Sequence, residues 1–177
     1  MLCLVNLGGL DRLHLNFEQG LKRAVMALAV PALLVSCAKP PPPAVITTVQ
    51  FAVTSAADTN PDARRRASPV TVRVYALKSA ATFEAADFFS LYEKDAATLG
   101  ADVVQREEFL MTPSQQKTLA LKLGPEVKAI AVMVAFRDLE RARWRAVQVL
   151  DVGKTVDLTA LLAGSQVSLQ YKVQSQK

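Results

Sequence analysis

Few side chains in this sequence carry reactive chemistry, and one of them stands at an informative position. The 177 residues contain two cysteines, Cys3 and Cys37, and a single histidine, His14. Residues 34–37 read Leu-Val-Ser-Cys, so that an aliphatic residue, a variable position and a small residue lead up to Cys37. The cysteine side chain is a strong nucleophile once it is ionised. This position therefore predicts that the thiol of Cys37 is covalently modified.

An export segment precedes this cysteine. Lys22 and Arg23 stand directly before residues 24–35, an apolar run without a charge. A basic region, a short apolar region and small residues at its end describe a secretory signal peptide. The run is too short for a comfortable transmembrane helix, which needs about 20 apolar residues. Residues 1–36 are thus predicted to be a signal peptide, and residues 34–37 to be a lipobox, the motif of bacterial lipoproteins.

The lipobox predicts both the chemistry at Cys37 and the location of the protein. The thiol takes a diacylglycerol, the new N-terminus takes an acyl chain, and together these chains hold the protein at a bilayer. Ala38 occupies the position where aspartate is the usual residue for retention in the inner membrane. We therefore expect the outer membrane, with the domain facing the periplasm. The alternative is a buried cysteine near a hydrophobic helix.

The first 20 residues do not fit this scheme. Asp11, His14 and Glu18 lie within them, which is not how a signal peptide begins. We hypothesise that translation begins near Leu21 from a non-standard codon, and we expect residues 1–20 to lie outside the mature fold. Mass spectrometry of the unprocessed precursor tests this hypothesis.

The mature sequence excludes several classes of function. Residues 37–177 contain no histidine and no cysteine except Cys37, which excludes a Ser-His-Asp triad, a Cys-His pair and a zinc site with His or thiolate ligands. The adjacent Glu107 and Glu108 would point to opposite faces of a strand and cannot share an acid/base site. The 18 Lys and Arg residues against 14 Asp and Glu give a balance of about +4, too mild to indicate nucleic acid. We expect that the protein is not an enzyme, and that it has no metal site, no cofactor apart from the lipid and no small-molecule substrate.

Beyond the export segment the pattern predicts a tether and then a sheet-rich domain. Residues 39–43, Lys-Pro-Pro-Pro-Pro, favour polyproline II, so residues 37–46 are predicted to be a lipidated, stiff tether. Apolar and polar residues then alternate with a period of two, as in half-buried strands. The predicted strands are 48–54, 70–77, 103–111, 116–123, 129–136, 143–150, 154–158 and 167–173. The continuous apolar run at 129–136 predicts a central strand that is covered on both faces.

One segment breaks the alternation. Residues 81–99 contain many helix formers and almost no β-branched residue, which predicts one or two short helices ended by Gly100. Phe83, Phe89 (or Leu91) and Tyr92 recur at helical spacing, and we expect this stripe to pack against a sheet. Residues 47–177 are therefore predicted to form one mainly β domain, a two-sheet β-sandwich of seven or eight strands with a helical insertion at about 81–99.

Several phrases of the mature chain carry a family resemblance. They are Asn-Pro-Asp at 60–62, Ser-Pro-Val-Thr-Val-Arg-Val-Tyr-Ala-Leu at 68–77, Ala-Asp-Phe-Phe-Ser-Leu-Tyr at 86–92, Leu-Gly-Ala-Asp at 99–102, and Phe-Arg-Asp at 136–138 with Trp144 and Arg145. In this order, and beside a lipobox, the chain resembles the outer-membrane lipoprotein of the bacterial type VI secretion system, the TssJ/VasD family. The resemblance covers essentially the whole mature chain.

The resemblance implies a fold, a location and a partner. The fold is a transthyretin-like β-sandwich with a small helical addition, held by lipid to the inner face of the outer membrane. The implied partner is the periplasmic C-terminal region of the large inner-membrane protein TssM, and the implied role is structural, in the envelope-spanning complex on which the contractile tail docks. In the family, the loop between the first two strands is a principal contact with TssM, and here this loop is 55–68. The alternative is a different outer-membrane lipoprotein with a similar sandwich, such as a pilotin or a ligand-binding module.

The composition of this loop agrees with a docking role. It is long, polar and held between two strands, so that its ends are fixed while its tip protrudes. The three arginines at 64–66 supply hydrogen-bond donors and a positive field for acidic side chains of a partner. Asp58 and Asp62 either pair with these arginines or face the partner. The alternatives are a solvated loop whose arginines keep the protein soluble, or a contact with anionic lipid head groups. The expected contact residues are Asp58, Asn60, Pro61, Asp62, Arg64, Arg65 and Arg66.

Overall fold

The computed structural model describes residues 45–174, so the predicted signal peptide, Cys37 and most of the predicted tether lie outside the described residues. Within this range the chain forms eight strands and two α-helices. The strands are β1 (Thr47–Ser55), β2 (Val70–Leu77), β3 (Val103–Met111), β4 (Gln116–Leu123), β5 (Ala129–Val134), β6 (Arg145–Val149), β7 (Thr155–Ala163) and β8 (Gln166–Val173). The helices are α1 (Ala81–Ala85) and α2 (Phe88–Leu99), and the 3-10 turn Gly100–Asp102 follows them.

The strands form two four-stranded sheets. The first sheet has the order β4-β1-β7-β8, and the second has the order β3-β2-β5-β6. Neighbouring strands are antiparallel except β1 and β7, which run parallel from the pair Thr48 and Thr155 to the pair Ser55 and Leu162. Parallel neighbours cannot be joined by a hairpin, and here all four strands of the second sheet, together with β4, lie between β1 and β7 in the chain.

The two sheets face each other across a core of alternating side chains. On β1, Val49, Phe51 and Val53 are at most 1% exposed, and burial alternates residue by residue along β7. In β1 and β7 one face packs in the core while the other face is less buried, which is the period of two that the sequence shows. The expected mainly β, two-sheet sandwich with a helical insertion is confirmed.

The central strand β5 is covered on both sides. All six of its residues are buried. Val132 packs in the core between the sheets, whereas Met133 points outward and packs with Phe83 and Leu91 of the helices. The helical insertion therefore closes the outer face of the second sheet. The predicted central strand is confirmed, and it ends at Val134 rather than at residue 136.

The helical insertion divides into two helices with recognisable ends. The side chain of Asp87 accepts a hydrogen bond from the backbone N–H of Ser90 at the start of α2, which is the usual work of an N-terminal cap. Gly100 follows α2 with a φ of 51°, a left-handed conformation that glycine adopts without steric cost. The prediction of one or two helices ended by Gly100 is confirmed.

The aromatic stripe of this insertion packs only in part. Phe83 and Leu91 are fully buried, but Phe89 is 59% exposed and Tyr92 is 40% exposed. The expectation that the stripe packs against the sheet is therefore correct for Phe83 and for Leu91, and it is wrong for Phe89. Helical spacing alone did not decide between Phe89 and Leu91, which lie only two positions apart.

A charged network fastens α2 to the second sheet. The hydroxyl of Tyr75 and the Nε of Arg106 both donate to Oδ2 of Asp95, at 3.0 and 2.6 Å. Arg73 donates to two backbone carbonyls of α2, at 2.7 and 3.0 Å, and both arginines pair with Glu108. Burial opposes ionisation of Asp95, but the hydrogen bond from Tyr75 and the charge of Arg106 prevail and lower its pKa. Burial, together with the negative charge of Asp95, raises the pKa of Tyr75.

Candidate docking site

Four connections meet at one end of the sandwich, which we call the loop pole. They are the β1–β2 loop at 56–69 (the first loop), the β3–β4 turn at 112–115, the β5–β6 loop at 135–144 (the second loop) and the β7–β8 turn at 164–165. Strand β1 runs from Thr47 toward this pole over nine residues, which is roughly 25–30 Å of extended chain. The first loop therefore lies at the end of the sandwich opposite to the one where the chain enters it.

Asn60 is the buried centre of the loop pole. It is 2% exposed and has a φ of 53°, a left-handed conformation that asparagine tolerates better than most residues. Its Nδ2 donates to the carbonyl of Pro69 at 2.8 Å, and its Oδ1 accepts from the backbone N–H of Arg137 at 2.9 Å. Its own backbone N–H donates to the carbonyl of Gly164 at 2.7 Å. Asn60 thus joins the first loop, the second loop and the β7–β8 turn.

The residues beside Asn60 close the base of the first loop. The hydroxyl of Thr59, which is fully buried, donates to the carbonyl of Leu162 at 2.9 Å. The backbone N–H of Ser68 donates to the carbonyl of Thr59 at 3.1 Å, so that the two ends of the loop meet. Oδ1 of Asp58 accepts from the backbone N–H of Gly164 at 3.2 Å. The base of the loop is consequently fixed to the first sheet.

Asp62 organises the tip of the first loop. Its carboxylate accepts from the backbone N–H groups of Arg64 and Arg66 at 2.8 and 2.9 Å, and it also forms an ion pair with the guanidinium of Arg66 at 2.7 Å. The backbone and side-chain hydrogen bonds from Arg66 lower the pKa of Asp62. This turn contains no glycine, and Arg65 takes the left-handed conformation instead, with a φ of 60°.

The residues predicted to contact a partner therefore fall into two groups. Arg64, Arg65 and Arg66 are exposed at the tip of the first loop. Asn60 is buried, and the carboxylate of Asp62 is engaged by its own loop. We infer that these two side chains shape the loop, with Arg66 paired to Asp62, and that Arg64 and Arg65 are left available to a partner. Pro61, between Asn60 and Asp62, lies on the wall of a groove, and Asp58 is at the base of the loop.

An open groove of about 630 Å³ separates the two loops. Its lining is polar and contains no aromatic side chain, so it lacks the apolar character of a small-molecule site. The sequence showed the Phe-Arg-Asp phrase at 136–138 but did not indicate that it lies beside the first loop. The side chains that line it include Pro61, Asp62, Arg137, Asp138, Arg141 and Ser165.

Comparison with known families identifies the chain. Residues 47–174 match the model of the type VI secretion lipoprotein family, which includes VasD, EvfM and TssJ. The chain belongs to this family. Members are structural lipoproteins of the secretion system and are not enzymes, and no cofactor is indicated for them. The resemblance that the sequence phrases carry is confirmed.

Solved structures agree with the family assignment. The type VI lipoprotein TssJ1 of Pseudomonas aeruginosa is 28% identical, with a TM-score of 0.66, and the match covers 76% of this chain and 100% of that chain. The Lip protein of Serratia marcescens, a membrane-bound component of the type VI secretion system, is 23% identical, with a TM-score of 0.64 and coverage of 75% and 100%. At this lower identity the likeness shows the fold alone. A search of curated protein sequences gives no significant match.

Two properties of the type VI lipoprotein concern its membrane attachment and its ligands. No helix within residues 45–174 is long and apolar enough to cross a membrane. In the same range, no group of three or more His, Cys, Asp or Glu side chains is arranged to hold a metal ion. Cys37, the predicted lipidation site, lies outside the described residues.

Proposed function

We propose that this type VI secretion lipoprotein is a lipid-anchored structural subunit that tethers the periplasmic region of TssM to the outer membrane. The anchor is the lipid on Cys37, and the contact with TssM is made at the loop pole. The subunit acts by non-covalent binding, without turnover. Family membership of residues 47–174 supports the structural role.

Two further structures with the same fold support TssM as the partner. One is a type VI membrane complex, 22% identical with a TM-score of 0.61. The other is a structure of the T6SS protein TssM C-terminal domain from EAEC, 21% identical with a TM-score of 0.60. In both cases about 97% of the matched chain is covered. A chain of this fold therefore occurs in structures that concern the membrane complex and TssM.

The single observation that carries the proposed contact is the construction of the first loop. Its base is fixed by the buried Asn60 and Thr59, while Arg64 and Arg65 are exposed at its tip. A loop that is already ordered loses little conformational freedom when it binds. The loop also lies at the end of the sandwich opposite to Val45, where the segment that follows Cys37 enters. A tether on one side and a docking loop on the other fit a protein that joins two structures.

The test is binding of residues 44–177 to the periplasmic C-terminal region of the cognate TssM, measured by biolayer interferometry. In one variant, residues 61–67 are replaced by a Gly/Ser linker of equal length, which keeps Asn60 and Ser68 at the base of the loop. In a matched control, Pro125 and Glu126, both exposed at the opposite pole, are replaced by Gly-Ser. Circular dichroism verifies that each variant is folded.

We expect the loop variant to lose binding and the control to retain it. Binding that survives loop replacement would support the tethering function but would move the contact to another surface. A folded wild-type domain that fails to bind the cognate TssM region would refute the tethering function. It would favour a different outer-membrane lipoprotein, pilotin-like or ligand-binding, with the same sandwich.

A further inference from the structure

The second loop stands beside the first loop as a fixed wall. Pro61 and Asp62 line one side of the groove, Arg137, Asp138 and Arg141 line the other, and Ser165 of the β7–β8 turn joins them. Two loops that are distant in sequence thus enclose one concave surface at the loop pole. A protruding segment of another protein can enter such a groove, whereas a flat sheet face offers it no enclosure.

The two loops that border this groove carry a net positive charge. The two loops together contain six arginines against four carboxylates. One of the two aspartates that line the groove, Asp62, is already paired with Arg66, so the other, Asp138, is the acidic side chain that stands against Arg137 and Arg141 there. Arg137 has no carboxylate within 4 Å in the described part of the chain, which leaves its charge available.

Arg141 has only a weak internal partner. Its guanidinium lies 3.8 Å from Asp138, with the two side chains 86% and 43% exposed. An ion pair this exposed contributes little to the stability of the fold, because water screens it. A carboxylate of a binding partner can therefore replace Asp138 as the neighbour of Arg141 at small cost. The charges on this wall of the groove are largely unused by the fold itself.

The backbone that carries these arginines is held in place. The N–H of Arg137 donates to Asn60, and the neighbouring Phe136 is 3% exposed in the core. At the other end of the second loop, the N–H of Arg143 donates to the carbonyl of Ser165 at 3.0 Å. One end of the second loop is therefore tied to the first loop, and the other end is tied to the β7–β8 turn. Such preorganisation reduces the ordering cost of binding and favours specificity.

We propose that the groove between the first and second loops is part of the docking site, and that it binds an acidic segment of the partner through Arg137 and Arg141. This inference rests on the proposed function, because it names a second surface and a chemistry for the contact with TssM. Arginine is suited to the role, since its planar guanidinium binds a carboxylate through two parallel hydrogen bonds.

The experiment measures binding of the full-length lipoprotein, purified from membranes in detergent, to the periplasmic C-terminal region of TssM at several salt concentrations. The test variant is R137E/R141E, and R137K/R141K keeps the charge while removing the guanidinium. The matched control is K122E, which reverses an exposed charge on β4 near the opposite pole. Thermal unfolding of each variant verifies that the sandwich is intact.

We expect R137E/R141E to weaken binding by roughly tenfold or more and to reduce its dependence on salt, because reversed charges repel an acidic segment. The lysine variant should keep the salt dependence, and K122E should bind like the wild type. Wild-type affinity and salt dependence in R137E/R141E would overturn the groove proposal and leave the tethering function standing, because the wild-type protein still binds TssM. No binding by the wild-type protein would refute the tethering function and the groove proposal together.

Discussion

Replacement of Asn60 by alanine tests whether one buried side chain holds the loop pole together. The substitution removes two side-chain hydrogen bonds, to the carbonyl of Pro69 and from the N–H of Arg137. Each is worth about 1 kcal/mol net, and more where a buried group is left unpaired. The φ of 53° adds a further cost of about 1 kcal/mol for a residue with an ordinary Cβ. We therefore expect Asn60→Ala to lower the free energy of unfolding by about 3 kcal/mol.

The glycine variant separates the two causes. Asn60→Gly loses the same hydrogen bonds but adopts the left-handed conformation freely, so it should be less destabilised than Asn60→Ala by up to about 1 kcal/mol. Urea unfolding of residues 44–177 gives the free energies by linear extrapolation. Amide hydrogen exchange at Arg137 gives a local readout, because its N–H loses its acceptor in both variants. An alanine variant within about 0.5 kcal/mol of wild type, with unchanged exchange at Arg137, would refute the assignment of Asn60 as the centre of the pole.

Three further expectations concern the core, the charged network and the anchor. Phe83→Ala should lower the free energy of unfolding by about 3–5 kcal/mol because Phe83 is fully buried. Phe89 is exposed, so Phe89→Ala should change this free energy by less than about 0.5 kcal/mol. Urea unfolding that ranks the two variants the other way would contradict the packing described. The pKa of Asp95 is lowered in the fold. Its contribution to stability is therefore present above the unfolded-state pKa of about 3.9 and is lost as the pH falls through the folded-state pKa. The wild type should therefore lose more free energy of unfolding than Asp95→Asn between about pH 6 and about pH 2.5, and equal losses would exclude this role. Cys37→Ser should abolish lipidation and remove the protein from the outer-membrane fraction, and a serine variant that still fractionates with the outer membrane would contradict the predicted anchor.

The period of the apolar residues predicted which segments form strands better than it predicted where each strand begins and ends. Strand β7 was expected at 154–158 and extends over Thr155–Ala163. Its buried residues continue the alternation through Ala160 and Leu162, but Leu161 and Ala163 on the opposite face are also apolar and hide the pattern. Strand β6, by contrast, is shorter than expected, Arg145–Val149 rather than 143–150. Local patterns give the faces of a strand, while its length is set by the partner with which it pairs.

The sequence predicted the first loop of the candidate site but not the groove that this loop forms with the second loop. Turn chemistry and charge indicated the first loop, with Asn60, Asp62 and the arginines in it. The difference between residues that shape the loop and residues that are exposed to a partner depends on contacts over long sequence distances, since Asn60 and Arg137 are 77 residues apart. Asparagine is common in turns for purely local reasons, so the sequence could not show that this one is buried and shared by three connections. The groove likewise arises only when the second loop is placed beside the first.

The rigidity of the first loop constrains how it can contribute to the proposed contact with TssM. A connection of 14 residues is ordinarily mobile, and ordering it on binding would consume part of the interaction energy. Here the base is held by Asn60 and the tip by Asp62, so that the main ordering cost left is that of the exposed arginine side chains. Long side chains on a fixed backbone give a contact that is sensitive to charge and salt more than to loop length. Affinity for TssM should therefore respond more strongly to the charges of the two loops than to the flexibility of either one.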